Sequence, residues 1–179
     1  MSTSIVFQKN KTAPKNNEHY TPEYILEPCI KMIDGFDLDP ASCKIANERV
    51  KAGTYMTKDT DGLCRKWHGD VWCNPPYSNK GGVGAWVKKA AGEVESGRCR
   101  SVFLLLNSNT SSAWFHELVD VATICFIEKR IKFYDPSGNI QGNPAAGNIL
   151  ALISQDFQLH STFTDQISDL GTIMRKCNG

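Results

Sequence analysis

The chain predicts an α/β fold in which a mostly parallel sheet ends in an antiparallel hairpin, and three observations carry that expectation. Residues 101–106 form an uninterrupted apolar run, the pattern of a strand covered on both faces. Apolar residues at 83, 86, 87, 90, 91 and 94 trace a helical stripe, with Lys88, Lys89, Glu93 and Glu95 assigned to the other side. Strands and helices alternate along the first part of the chain and strands then follow one another, as expected of parallel crossover units closed by a hairpin. A chain of 179 residues holds one domain of ordinary size. Residues 19–179 are assigned to that domain, and the polar stretch 1–18 to a loosely ordered arm.

In order, Thr21-Pro22-Glu23 opens a helix reaching Met32 and Ile33, with threonine as cap, proline at the first helical position and glutamate in the first turn. Pro28 predicts a kink within it. Residues 36–39 read as a short strand stopped by Pro40, and residues 41–50 as the helix that follows. Strand, tight turn and helix make the nucleotide-binding unit of doubly wound sheets, yet no Gly-x-Gly-x-x-Gly occupies this turn, so a pyrophosphate ligand is not indicated. Residues 53–56 are a second strand and 70–73 a third, leading into a proline-rich loop with glycines at 81, 82 and 84. After the striped helix and the apolar strand come a short helix at 113–119 and a buried strand at 122–127. Residues 130–134 alternate and are assigned to a strand. A glycine-, proline- and asparagine-rich loop spans 135–147, a last strand 149–153, and residues 155–179 give no decisive pattern.

Composition excludes several classes. Hydrophobic residues make up 41% and charged residues 22%, with no apolar run of membrane-spanning length and no basic-then-apolar leader, so a cytoplasmic protein without a membrane partner is expected. The seven cysteines are odd in number and lack a Cys-x-x-Cys pair, which points to free thiols. No metal is expected: Cys64, His68 and Cys73 want a fourth ligand at a usual spacing, and His116-Glu117 meets Asp120 where a zinc helix needs histidine. A net charge of +1 requires any nucleic acid to be held by a local basic patch.

The chemistry concentrates at Asp70-Val71-Trp72-Cys73-Asn74-Pro75-Pro76-Tyr77-Ser78, where an apolar strand runs into a rigid turn. Two prolines fix φ and remove two backbone donors, leaving carbonyls outward. A planar amine entering this turn would meet the Asn74 side-chain oxygen and a backbone carbonyl, with the Tyr77 ring beside it, as in a pocket for a flipped nucleobase. Val71 and Trp72 are assigned to the core.

Four motifs in sequence order, Thr21-Pro22, Asp39-Pro40-Ala41, Asp61-Gly62-Leu63 with Trp67, and Asn74-Pro75-Pro76-Tyr77, make residues 20–150 resemble the small phage-type DNA adenine methyltransferases. That resemblance implies a Rossmann-like methyltransferase fold, S-adenosylmethionine as methyl donor and a DNA adenine amine as acceptor. It assigns the catalytic loop to Asn74, Pro75, Pro76 and Tyr77. It puts Tyr20, Thr21 and Pro22 near the methionine end of the cofactor, and Asp39, Ala41 and Ser42 on the turn beneath, with Asp39 meeting the ammonium. It gives Asp61 the cofactor's adenine amine, and Leu63 the face of that ring. Thr21 is equally readable as a helix cap and Asp61 as an ordinary turn aspartate. The acid that would hold the cofactor ribose is not identifiable.

DNA contacts are expected from Ser78, Lys80, Arg130 and Lys132, provided they share the side of the sheet that bears the proline loop. Too few residues remain for a separate target-reading domain, and the oligomeric state is open. Two other readings stand: the same fold and cofactor acting on RNA or a protein glutamine amide, and a catalytically decayed nucleic-acid-binding module.

Overall fold

A computed structural model describes residues 18–77, 81–142 and 146–176. Seven strands form one sheet in the order β2-β1-β3-β4-β6-β5-β7, from β1 (Leu38–Asp39), β2 (Thr54–Tyr55), β3 (Gly69–Cys73), β4 (Cys99–Asn107), β5 (Ala122–Ile127), β6 (Asn148–Ser154) and β7 (Gly171–Arg175). The ladders joining β2, β1, β3 and β4 are parallel, and those joining β4, β6, β5 and β7 are antiparallel. The antiparallel part therefore exceeds the single hairpin expected, because β6 inserts between β4 and β5 and the undecided C-terminal stretch adds a strand.

Helices cover both faces. Along β4, Val102, Leu104 and Leu106 pack under α3 (Gly82–Glu95) and α4 (Ala113–Val121), while Phe103 and Leu105 pack toward α1 (Glu23–Ile33) and α5 (Phe157–Ile167). Successive side chains of a strand point to opposite faces, so a continuous apolar run serves two cores at once.

Three expected elements change. The helix expected over 41–50 is α2 (Lys44–Val50), because Cys43 takes the cap position, its sulfur accepting from the Ala46 N–H, and 41–43 stay in the turn around Asp39. Residues 130–134 are not a strand of the sheet. Ile131 and Phe133 are buried as the alternation predicts, but the backbone bridges Tyr134 to Tyr20 and Ile140 instead. Glu93 does not face solvent: it is 1% exposed, clamped by Lys89 at 2.6 Å and by Arg98. Two cations let a carboxylate sit in the helical stripe, a pairing that hydrophobic periodicity does not encode.

Candidate active site

The chain leaves β1 for β2 on one side and returns to β3 on the other, so loops diverge where the carboxyl ends of β1 and β3 meet. Open α/β sheets bind ligands at such a switch point. A cleft of about 580 Å³ lies there, and it brings together Tyr20, Thr21, Asp39, Ala41, Ser42, Asp61 and Leu63 with Asn74, Pro75, Pro76 and Tyr77. Pro22 is not in its wall; it takes the cap position of α1 and Thr21 precedes it. The threonine-cap assignment is thus corrected. Thr21 offers α1 no cap bond and instead accepts from Asn74 Nδ2 at 3.4 Å.

Asp39 ends β1 and is 3% exposed. The Ala41 N–H donates to its Oδ1 at 3.1 Å, closing the turn that Pro40 begins. Burial pushes this carboxyl up to about 7, against the opposing pull of the Ala41 N–H and the Ser42 hydroxyl. No lysine, arginine or histidine among the described residues pairs with it. A buried cleft carboxyl that no described cation pairs with is suited to a cationic ligand group.

The Asn74 amide is held from outside its own loop. Its nitrogen donates to the His19 carbonyl at 3.0 Å as well as to Thr21, and no described residue donates to its oxygen or to the Pro75 carbonyl. With its nitrogen engaged, the amide keeps one orientation and leaves an acceptor. The 18–21 segment is fixed in turn by 133–141. Tyr20 and Tyr134 exchange two backbone bonds of 3.0 Å, Gln141 Nε2 donates to the Glu18 carbonyl at 2.6 Å, and the Gln141 oxygen meets the His19 ring. His19 and Gln141 were not expected at the site. Their contacts join segments 55 to 123 residues apart, two of them through backbone carbonyls, where no motif signals them.

The loop carrying Asp61 is built from its own side chains. Asp61 adopts a left-handed φ of 48°, and its carboxylate accepts from the Leu63 N–H at 3.2 Å and the Cys64 thiol at 3.1 Å. Trp67 Nε1 donates to the Gly62 carbonyl at 2.8 Å. A Cβ on Gly62 would come within 2.0 Å of the Pro40 carbonyl oxygen, so only glycine lets this loop close against the β1 turn. Trp86 of α3 stacks on Trp67 and also lines the cleft, and its Nε1 is buried without an acceptor among the described residues.

Tyr77 forms the far wall. The residue is 40% exposed, while its hydroxyl oxygen accepts the Asn107 N–H at 2.6 Å and burial pushes its pKa up to about 12. It is therefore a neutral ring tethered at the end of β4. Of the expected DNA contacts, Ser78 and Lys80 lie outside the described residues. Arg130 sits at the carboxyl end of β4: a Cβ on Gly147 would lie 2.8 Å from Ser108 Oγ and 3.3 Å from Arg130 Nη1. Arg130 and Lys132 are both exposed, and neither is in the wall of this cleft or of the one between Tyr77, Asn107 and Trp114, so the structure brings neither of them into the site. Among the described residues no group of His, Cys, Asp or Glu converges as metal ligands, and no helix is long and apolar enough to cross a membrane.

No curated protein matches the chain. A family model, DNA N-6-adenine-methyltransferase (Dam), matches residues 8–175, nearly the whole length. The chain belongs to the DNA N-6-adenine-methyltransferase (Dam) family, and is by that membership a DNA-modifying enzyme.

Proposed function

We propose that the protein is an S-adenosylmethionine-dependent methyltransferase of Rossmann-like fold that modifies the exocyclic amine of an adenine extruded from DNA. One observation carries this reading. A single cleft at the sheet's switch point holds both a buried carboxyl, Asp39, and an amide oxygen, Asn74 Oδ1, that have respectively no cation and no donor among the described residues.

Two unmatched polar groups fit the cofactor. Asp39 wants a positive group and S-adenosylmethionine carries an ammonium; the buried Trp86 Nε1 wants an acceptor and the cofactor's adenine ring offers nitrogens. Tyr20, Thr21, Ala41 and Ser42 would line the amino-acid end and Asp61 with Leu63 the adenine end. When bound, S-adenosylmethionine supplies an electrophilic methyl group on a sulfonium centre.

The chain's own residues act on the acceptor. An adenine amine is a weak nucleophile because its lone pair is delocalised into the ring. Asn74 Oδ1 and the Pro75 carbonyl each accept one of its hydrogens, favouring the tetrahedral nitrogen that reacts, and the fixed Asn74 amide requires no reorganisation. Pro75 and Pro76 hold the carbonyl in place, and Tyr77 stacks on the base to offset part of its unstacking cost. Arg130, with Ser78 and Lys80, would contact phosphates.

Incubation with methyl-labelled cofactor and DNA, RNA or protein in separate reactions tests this. Label recovered from DNA as N6-methyladenine is the expected result. Label in RNA or a glutamine side chain, or cofactor binding without transfer, would replace this reading with one of the two alternatives.

A further inference from the structure

A second cleft of about 630 Å³ opens on the other side of Tyr77, between the ends of β4, α3 and α4, and Tyr77 is a wall of both. Its volume lies within the ~300–1,000 Å³ of small-ligand sites. Its polar groups without a described partner include three nitrogen donors. Asn107 Oδ1 accepts from Asn148 Nδ2 at 3.3 Å, and Asn109 Oδ1 accepts from Ser111 Oγ at 3.1 Å. Neither amide nitrogen donates to a described residue, and nor does the half-buried Trp114 Nε1. At the rim Lys88 faces Glu117 at 3.7 Å, so the cleft carries no surplus positive charge. An aromatic plane, outward amide donors and charge balance suit a nucleobase, which offers a π-face and ring or carbonyl acceptors, and not a phosphate.

We infer that this cleft seats the nucleotide adjoining the target adenine, with its base against Trp114 and its acceptor edge toward Asn107 and Asn109. The inference rests on the proposed function and adds a specificity site to it. Because Tyr77 is shared, a strand passing from one cleft to the other places consecutive nucleotides on its two sides. Sequence preference next to the target would then come from two asparagine amides and not from a separate domain.

The test begins with sequencing of DNA from expressing cells, which locates the methylated adenine. Oligonucleotides then carry an abasic residue at either neighbouring position. Trp114→Phe and Asn109→Ala are compared with Trp114→Ala, since Trp114 also packs edge-on against Phe115 and its removal alone could disturb α4. We expect Trp114→Ala to raise KM for DNA about tenfold, the worth of one stacked base, with cofactor Kd unchanged and Trp114→Phe close to wild type. One abasic position should cause a similar loss in the wild type and little further loss in Trp114→Ala. Asn109→Ala should relax the preference for the base at that same position. Additive losses, or an unchanged preference in Asn109→Ala with normal methylation, would overturn the inference while leaving the function intact. No DNA methylation by the wild type would remove both.

Discussion

Asn74 shows how a residue's role depends on atoms far from it in sequence. Its amide nitrogen is committed to the His19 carbonyl and the Thr21 hydroxyl, which leaves its oxygen without a donor among the described residues and, in the proposed reaction, open to the substrate amine. Asn74→Ala should therefore lower methyl transfer about 100-fold or more while cofactor Kd, measured by calorimetry, changes less than about threefold. Parallel loss of both would place Asn74 at the donor instead. Asp39 makes the complementary prediction. Burial raises its carboxyl to about 7, so below that pH the cleft holds a neutral acid, and above it a carboxylate able to pair with an ammonium. Cofactor affinity should fall about tenfold per pH unit on acidification below neutrality, as one linked proton requires. Asp39→Asn should bind weakly at every pH and lose this slope. In the free protein the sign reverses: the folded state holds the proton more tightly than the unfolded chain does. Asp39 then favours folding below the unfolded carboxylate range, and that contribution is lost as pH rises toward 7.

Short elements are held in register by contacts that sequence patterns hint at without explaining. Gly62 is one of them, since the Asp61 loop meets the Pro40 carbonyl where a methyl group would collide. Gly62→Ala should cost about 1–3 kcal/mol in urea unfolding and weaken cofactor binding together, because the displaced loop lines the cleft. Normal binding in that variant would separate the loop from the site. On the opposite face of the sheet, α5 docks through His160. Its Nε2 donates to the Ser154 carbonyl at 2.9 Å, so its Nδ1 accepts from the Thr123 hydroxyl at 2.8 Å. The Nδ1 bond needs the neutral ring, whereas the Nε2 bond survives protonation, and burial lowers the ring's affinity for a proton. The stabilisation is present above the ordinary histidine value near 6.5 and is lost as pH falls below it, because the unfolded chain takes up the proton first. His160→Gln should flatten that part of the stability profile in denaturant titrations from pH 7.5 to 5.

At the scale of the molecule, a net charge of +1 leaves no broad attractive field for DNA, and local cations must do the work. Arg130 and Lys132 enter no ion pair with described residues, and Arg130 lies against Gly147 near the carboxyl end of β4. The slope of log affinity against log salt should be shallow, about −2 to −4, and Arg130→Ala should reduce its magnitude by about one. A slope near −8 would require a far larger cationic surface.

The sequence by itself determined the α/β class, the double-faced strand β4, the striped helix α3 and the proline loop, because periodicity, φ restriction and turn chemistry are local properties of the chain. It also determined which residues to suspect, since three of the four motifs fall at the ends of β1 and β3 or in the loop leading into β3, and the fourth opens α1. Tertiary structure alone decided that Glu93 is buried between two cations, that 130–134 straps the 18–21 segment instead of joining the sheet, and that β6 runs against β4. It alone put His19 on Asn74, Tyr77 under β4 and a second cleft beside the first. Pairings of this kind depend on which backbone groups meet once the sheet has closed, and spacing along the chain does not record that.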